Sequence, residues 1–280
     1  MTLPSGFGVY VRDVPILAPE GAAWGHACIN ARRRDRMELA AAMRAQSGEL
    51  WTYSTPEQWT PSGWRAELEL VKRAAREMGA RGIIANPEAG WAGQARAAGE
   101  LGAALAATAA EGLGVTVTSF PAWGPLAQLV AAAGPSVAGQ VQIYGRTAMD
   151  AAAFQRWLTR WTTAWGADRT GMAIAGWAHD GVRTQSQFRS YLAMLPRPSS
   201  GSVSLWTATG GAALWRVADA AAWYRGAALP PPTAPSSPTA PGAPPASSSS
   251  MPTSSSSAAG GGWGILLLLL LALFAMEKRR

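Results

Sequence analysis

Arg81-Gly82-Ile83-Ile84-Ala85-Asn86-Pro87-Glu88 is a short apolar run that turns polar at its end, set between two Ala-rich stretches. A run with no polar alternation is what a parallel strand covered on both faces requires. The same unit recurs from the start of the chain to about Tyr224. Further runs lie at Phe7–Arg12, His26–Ala31, Leu50–Ser54, Gly114–Ser119, Gly139–Tyr144, Gly171–Trp177 and Ser202–Ala208. Eight strands, most followed by a helical stretch, predict an α/β fold of the (β/α)8 (TIM) barrel type. An open doubly wound sheet is the competing topology. It normally carries a glycine-rich phosphate loop after the first strand, where this chain has Asp13-Val14-Pro15-Ile16. The first unit is the weakest, because Val14–Trp24 holds two prolines and reads as loop.

Helix boundaries are legible from cap chemistry. Asp35 with Glu38, Thr147 with Asp150 and Thr184 with Gln187 have capping-box spacing, and Thr60-Pro61 sets a cap before a first-turn proline. Gly79, Gly166 and Gly226 stand where helices are expected to end in a left-handed turn.

Composition changes at Pro230, dividing the chain into residues 1–229, 230–262 and 263–280. The middle segment is Pro, Ser, Thr, Ala and Gly with hardly any large apolar side chain, so it reads as a disordered stalk. The last segment runs from Trp263 through Ile265–Met276 to Lys278-Arg279-Arg280. Counted back to Ala258, it offers about 19 uncharged residues, enough for one transmembrane helix. Trp263 stands where an interfacial aromatic belongs, and the basic end favours a cytoplasmic C-terminus with the barrel outside. Met1–Cys28 holds no convincing signal peptide, because Arg12 and Asp13 break its apolar run. A start further upstream, unconventional export and a cytosolic, tail-anchored barrel therefore all stay open as readings.

The net charge of +7 comes mostly from arginines spread along helices, apart from Arg32-Arg33-Arg34. That cluster is either a solvated loop or a polyanion patch. No aromatic–basic motif accompanies it, so no nucleic-acid partner is expected. One cysteine, Cys28, excludes an internal disulfide framework, and two histidines, His26 and His179, leave no His-rich zinc site. No metal or organic cofactor is implied. The tail makes the membrane bilayer an expected partner, with the barrel a monomer.

In a barrel, chemistry gathers at the C-terminal ends of strands. Those ends carry Asp13, Asn30, Tyr53, Asn86 with Glu88, Ser119, Gln142 with Tyr144, Trp177 and Trp206. Asp13 and Glu88 are the carboxylates of this rim, and glycoside hydrolysis generally uses a pair. Pro87 and Trp91 offer Glu88 apolar neighbours able to raise its pKa. Glu88 is thus either a general acid or a strand-end glutamate in solvent, and Asp13 either its partner or a cap. Among the 14 tryptophans, Trp157, Trp161 and Trp165 recur at helical spacing and read as helix packing. Trp51, Trp91, Trp123, Trp177 and Trp206 lie near strand tops, where an aromatic face stacks on sugar or plugs the barrel. His179-Asp180 has no suitably placed nucleophile, and Cys28 reads as a small buried hydrophobe.

The fourth strand, ending Asn86-Pro87-Glu88, resembles the fourth-strand signature of family 18 chitinase-like barrels, which ends in an aspartate, a spacer and a general-acid glutamate. Gln142-Ile143-Tyr144 is similar to their M-x-Y motif, and Trp206 in Ser204-Leu205-Trp206 falls where they place a sugar-stacking tryptophan. Family 25 lysozyme-like barrels resemble the chain in another way, through a first-strand Asp like Asp13 and an Asp-x-Glu pair. The resemblance implies a surface protein acting on an N-acetylated glycan, peptidoglycan or chitin-like. Glu88 would be the acid and Asp13 a second carboxylate, with Asn86, Gln142, Tyr144, Trp177 and Trp206 as substrate contacts. It further implies attack by the substrate's own acetamido group, held by Tyr144 and Asn86. Asn86 replaces the aspartate both families carry, so a catalytically inactive barrel used for glycan binding or attachment is the alternative. The tail, Gly260-Gly261-Gly262 then apolar then basic, resembles the glycine-glycine sorting signals of bacterial surface proteins.

Overall fold

The computed structural model describes residues 3–11, 16, 18, 23–88, 90–144, 150–176, 182–206 and 214–229. Eight strands form a closed, all-parallel barrel in sequence order: β1 Phe7–Val11, β2 Trp24–Asn30, β3 Ser47–Tyr53, β4 Gly82–Ala85, β5 Gly114–Ser119, β6 Ala138–Ile143, β7 Thr170–Ala175 and β8 Val203–Trp206. Closure is made by β1 against β8, with Gly8 opposite Ser204 and Tyr10 opposite Trp206. The open-sheet topology is thereby excluded. Among the described residues, seven helices surround the barrel: α1 Arg36–Arg44, α2 Trp64–Met78, α3 Ala95–Ala110, α4 Leu126–Ala133, α5 Ala151–Trp165, α6 Gln185–Met194 and α7 Leu214–Tyr224. Residues 230–280 lie outside the described residues, and with them the expected stalk and membrane segment. Among the described residues, no helix is long and apolar enough to cross a membrane.

The strands bury both faces, and the period of two sorts their side chains. Val9, Val11, Ala27, Ile29, Ile83, Ala85, Val115, Val117, Val141 and Ile143 belong to the large apolar layer shared with the helices. The alternate positions Tyr10, Cys28, Trp51, Tyr53 and Ile84 form a separate cluster within the barrel, to which Trp206 adds. Two glycines make room for the largest of these. A Cβ at Gly82 would lie 2.5 Å from the Trp51 ring, and one at Gly114 would lie 2.6 Å from it. Trp51 is thus a core plug and no sugar platform. Cys28 is buried, as expected.

Several cap readings are corrected. Asp35 does not cap α1, because its carboxylate is taken at both oxygens by Arg33, at 2.7 and 2.6 Å. Helix α5 is capped by Asp150 itself, which accepts from the Ala152 N–H at 2.9 Å. Thr147 lies outside the described residues. Thr60 caps a turn, accepting from the Gly63 N–H at 3.0 Å, and α2 starts only at Trp64. Thr184 with Gln187 is a complete capping box, and Gly79 ends α2 in the left-handed conformation. Gly166 follows α5 with positive φ but extended ψ, so it is no left-handed cap. The Arg32–Arg34 cluster is largely spoken for. Arg32 pairs with Glu67, whose side chain is only 2 % exposed, and Arg33 holds Asp35.

The tryptophan stripe docks α5. Trp161 and Trp165 are fully buried, with Trp157 packed partly buried beside them. Trp165 rests on β6 where Gly139 has no side chain, and a Cβ there would stand 2.1 Å from its indole nitrogen. Gly139→Ala is therefore expected to cost about 1–3 kcal/mol in urea unfolding, the usual range for overpacking. Gly99→Ala, inside α3 with open space around the position, should instead stabilise by about 0.5–1 kcal/mol. If both variants unfold at the wild-type midpoint, this account of the α5 contact is wrong.

Candidate active site

The ends of β3, β4, β6 and β8 surround a cleft of about 420 Å³ lined by Tyr53, Thr55, Pro56, Glu57, Asn86, Glu88, Tyr144 and Trp206. A larger hollow of about 620 Å³ lies at the opposite, N-terminal end of the strands, between Ser47–Leu50 and Gly79–Arg81. Strand-top position, carboxylates and aromatic rings all favour the smaller cleft.

One wall is aromatic. Tyr53 is the last residue of β3, and its hydroxyl donates to the Val11 carbonyl at 3.3 Å. Its ring meets Tyr10 edge-on at 5.0 Å and Trp206 at 5.2 Å. Trp206, the last residue of β8, is also 4.3 Å from the Tyr10 ring yet stays partly exposed in the cleft. Packing from two sides fixes this indole while leaving it surface to offer, the condition for a stacking platform.

The other wall is a carboxyl held by two amides. Glu88 lies just past β4, on a loop tied down by Ser119, whose hydroxyl donates to the Pro87 carbonyl at 2.5 Å. The Gln142 amide donates to Glu88 Oε1 at 2.7 Å and to Asn86 Oδ1 at 3.0 Å. In that orientation Asn86 Oδ1 faces Glu88 Oε1 and the Thr118 carbonyl, oxygen against oxygen. Turned over, the Asn86 nitrogen lies 2.9 Å from Glu88 Oε1 and 3.1 Å from the Thr118 carbonyl, but then opposes the Gln142 nitrogen at 3.0 Å. An ionised Glu88 leaves at least one mismatched contact in every orientation of the two amides. Electrostatics point the same way. Burial pushes the Glu88 carboxyl above its usual range, reinforced by the charge of Glu57 and partly opposed by hydrogen bonds from Gln142 and Asn86. The Tyr144 phenol is pushed well up by burial and then by Glu88, so it stays a neutral donor.

The strand-end residues Glu88, Asn86, Tyr144 and Trp206 thus share one cleft. Gln142 lies beneath it, 3 % exposed, and acts on Glu88. Asn86 is 2 % exposed with its amide engaged inside, which leaves it little capacity to hold a substrate acetamido group. Asp13, Trp177, His179 and Asp180 lie outside the described residues. Trp91 and Trp123 are fully buried and face each other at 5.8 Å, so neither is a sugar platform. Trp91 also donates to the Trp59 carbonyl at 2.6 Å, a tie between loops where an apolar cover for Glu88 had been expected. Glu57 was missed by reading strand ends, because it stands four residues past β3 on the 3-10 turn Pro56–Gln58. The signal was present in Thr55-Pro56-Glu57, a carboxylate on a proline turn. Among the described residues, no group of three His, Cys, Asp or Glu side chains is placed to hold a metal ion.

No protein-family model matches this chain, and no curated protein matches it in sequence. A solved structure does match: a GH18 chitinase from Pseudoalteromonas aurantia, with a TM-score of 0.58 over 76 % of this chain and 98 % of that one. This chain folds like a chitinase barrel. Sequence identity is 9 %, so the likeness is one of fold. It agrees with a (β/α)8 barrel as the architecture.

Proposed function

We propose that the cleft binds an N-acetylated glycan and cleaves it, with Glu88 as the general acid that protonates the departing glycosidic oxygen. The observation that carries this reading is Glu88 itself: a strand-top carboxyl lining the same cleft as Trp206, enclosed so that burial favours its protonated form. Tyr144 supplies a neutral hydroxyl to the substrate, and Tyr53 backs the stacking indole. We propose in addition that residues 230–262 tether the monomeric barrel to residues 263–280, which hold it to a membrane on the extracytoplasmic side.

A second reading has a specific observation behind it. Asn86 occupies the place of the carboxylate that chitinase-like barrels carry, so the same cleft can serve as a glycan-binding or attachment module without turnover. The full-length chain, incubated with chitooligosaccharides and with peptidoglycan fragments, separates the readings. Release of new reducing ends with micromolar-to-millimolar KM is expected. Saturable binding without release selects the attachment module, and neither binding nor release ends both.

A further inference from the structure

We infer that Glu57 is the second carboxylate of the cleft and acts as the general base that activates the attacking water, taking over a task that Asn86 cannot perform. This rests on the reading of Glu88 as the acid.

The placement comes first. Glu57 and Glu88 line the same cleft from neighbouring strand tops, after β3 and after β4. Glu57 is exposed to solvent, whereas Glu88 is mostly enclosed. One carboxyl is thus suited to accept a proton and the other to deliver one. Their segments are also braced against each other. Within the turn, the Gln58 N–H donates to the Thr55 carbonyl at 3.2 Å and the Trp59 N–H to that of Pro56 at 3.1 Å. Trp59 follows directly and is fully buried, and its carbonyl receives the Trp91 indole N–H from the loop beyond Glu88. The turn that carries this exposed carboxylate is therefore anchored, as two-carboxylate chemistry asks of the backbone beneath it.

The alternative source of a nucleophile is weak here. Attack by a substrate acetamido group needs a carboxylate to orient and charge-balance that group, and the residue in that place is a neutral, buried amide already engaged.

The step balances. Water oxygen bonds to the anomeric carbon as one water proton passes to a Glu57 oxygen. The anomeric carbon–oxygen bond breaks, its electron pair staying on the leaving oxygen, which takes the proton of Glu88. Both carboxyls are reset through solvent. A single displacement inverts the anomeric carbon.

Two probes test this on the full-length protein: 2,4-dinitrophenyl β-glycosides of N-acetylglucosamine and of glucose, whose leaving group needs no acid. Wild type should turn over both and release the inverted anomer, followed by NMR. Glu57→Ala should lose about 100-fold or more, the usual share of base catalysis, with melting temperature unchanged. Azide should then restore turnover by forming a glycosyl azide, and Glu57→Gln should show the same loss. Retained anomeric configuration, or turnover confined to the N-acetyl probe, overturns the role of Glu57 while leaving Glu88 as acid. So does Glu57→Ala within tenfold of wild type, or a loss that azide does not rescue. A wild type inert on both probes sinks the inference together with the reading beneath it.

Discussion

Glu88→Gln should lower hydrolysis of a chitooligosaccharide by about two orders of magnitude or more, the contribution of a positioned acid, while glycan binding persists. The substitution keeps the shape but removes the transferable proton. Turnover of the dinitrophenyl glycoside should stay near wild type, because that leaving group departs without protonation. An equal loss on both substrates would mean that Glu88 is not the acid. Stability should move the other way. Glu88 has a raised folded pKa, so the native state binds its proton at pH values where the unfolded chain has released it. Stability is therefore lost as pH rises from the ordinary carboxylate range through the raised value. Gln carries no such penalty. The melting temperature of Glu88→Gln should exceed wild type at about pH 8 and converge on it below about pH 4. A variant less stable at both pH values would point to a packing role in place of an ionisable one.

The barrel was legible because its signal is local. Eight apolar runs, each short and unalternating, need only their own residues to be recognised. Closure then brings every C-terminal strand end to one face, so Asn86, Glu88, Tyr144 and Trp206 converge without any motif joining them. What stayed hidden depends on partners far along the chain. The amide that holds Glu88 comes from β6, 54 residues away. Trp91 and Trp123 stand near strand tops by sequence, but each is enclosed by the other across two loops. Asp35 has capping-box spacing, yet a guanidinium two residues earlier outcompetes the backbone N–H groups for its oxygens. Local rules failed where a charged or aromatic side chain found a stronger partner elsewhere.

Asn86 weighs differently in the two readings of function. For an enzyme using the substrate's acetamido group, loss of the carboxylate there is disabling. For one using Glu57 and water, a neutral Asn86 is an asset. A carboxylate 2.9 Å from Glu88 Oε1 would contend with it for a single proton, and an amide cannot. The proton then belongs to Glu88 alone. On the proposed reading, enzyme and attachment module part on whether a second carboxylate serves the cleft, and Glu57 lines it.

Acid should weaken the domain through His26, by about 3 kcal/mol between pH 7 and pH 4. His26 is fully buried inside the barrel, where a Cβ at Gly8 would fall 2.3 Å from its ring. Its hydrogen bonds have only one consistent direction. The Ser5 carbonyl can only accept, so Nδ1 carries the hydrogen and donates to it at 2.7 Å. Nε2 must then accept from the Ser204 hydroxyl, also at 2.7 Å. Ser204 Oγ accepts from the Gln140 amide at 2.8 Å, and Gln140 Oε1 from the Tyr10 hydroxyl at 2.7 Å. Every polar atom in this chain is used, and a proton on Nε2 turns an acceptor into a donor facing the Ser204 hydrogen. Burial lowers the His26 pKa to about 4, although the Ser5 carbonyl and the charge of Glu49 favour the cation. The sign follows: below its ordinary value of 6.5 the unfolded chain takes up a proton that the native state refuses, so stability falls from there to about pH 4. Urea unfolding across that range should show the slope in wild type and lose most of it in His26→Gln, with Glu88 unchanged in both. Should the two proteins share one slope, or should the imidazole titrate near 6.5 by NMR in the folded state, the polar chain beneath the cleft is not closed as described.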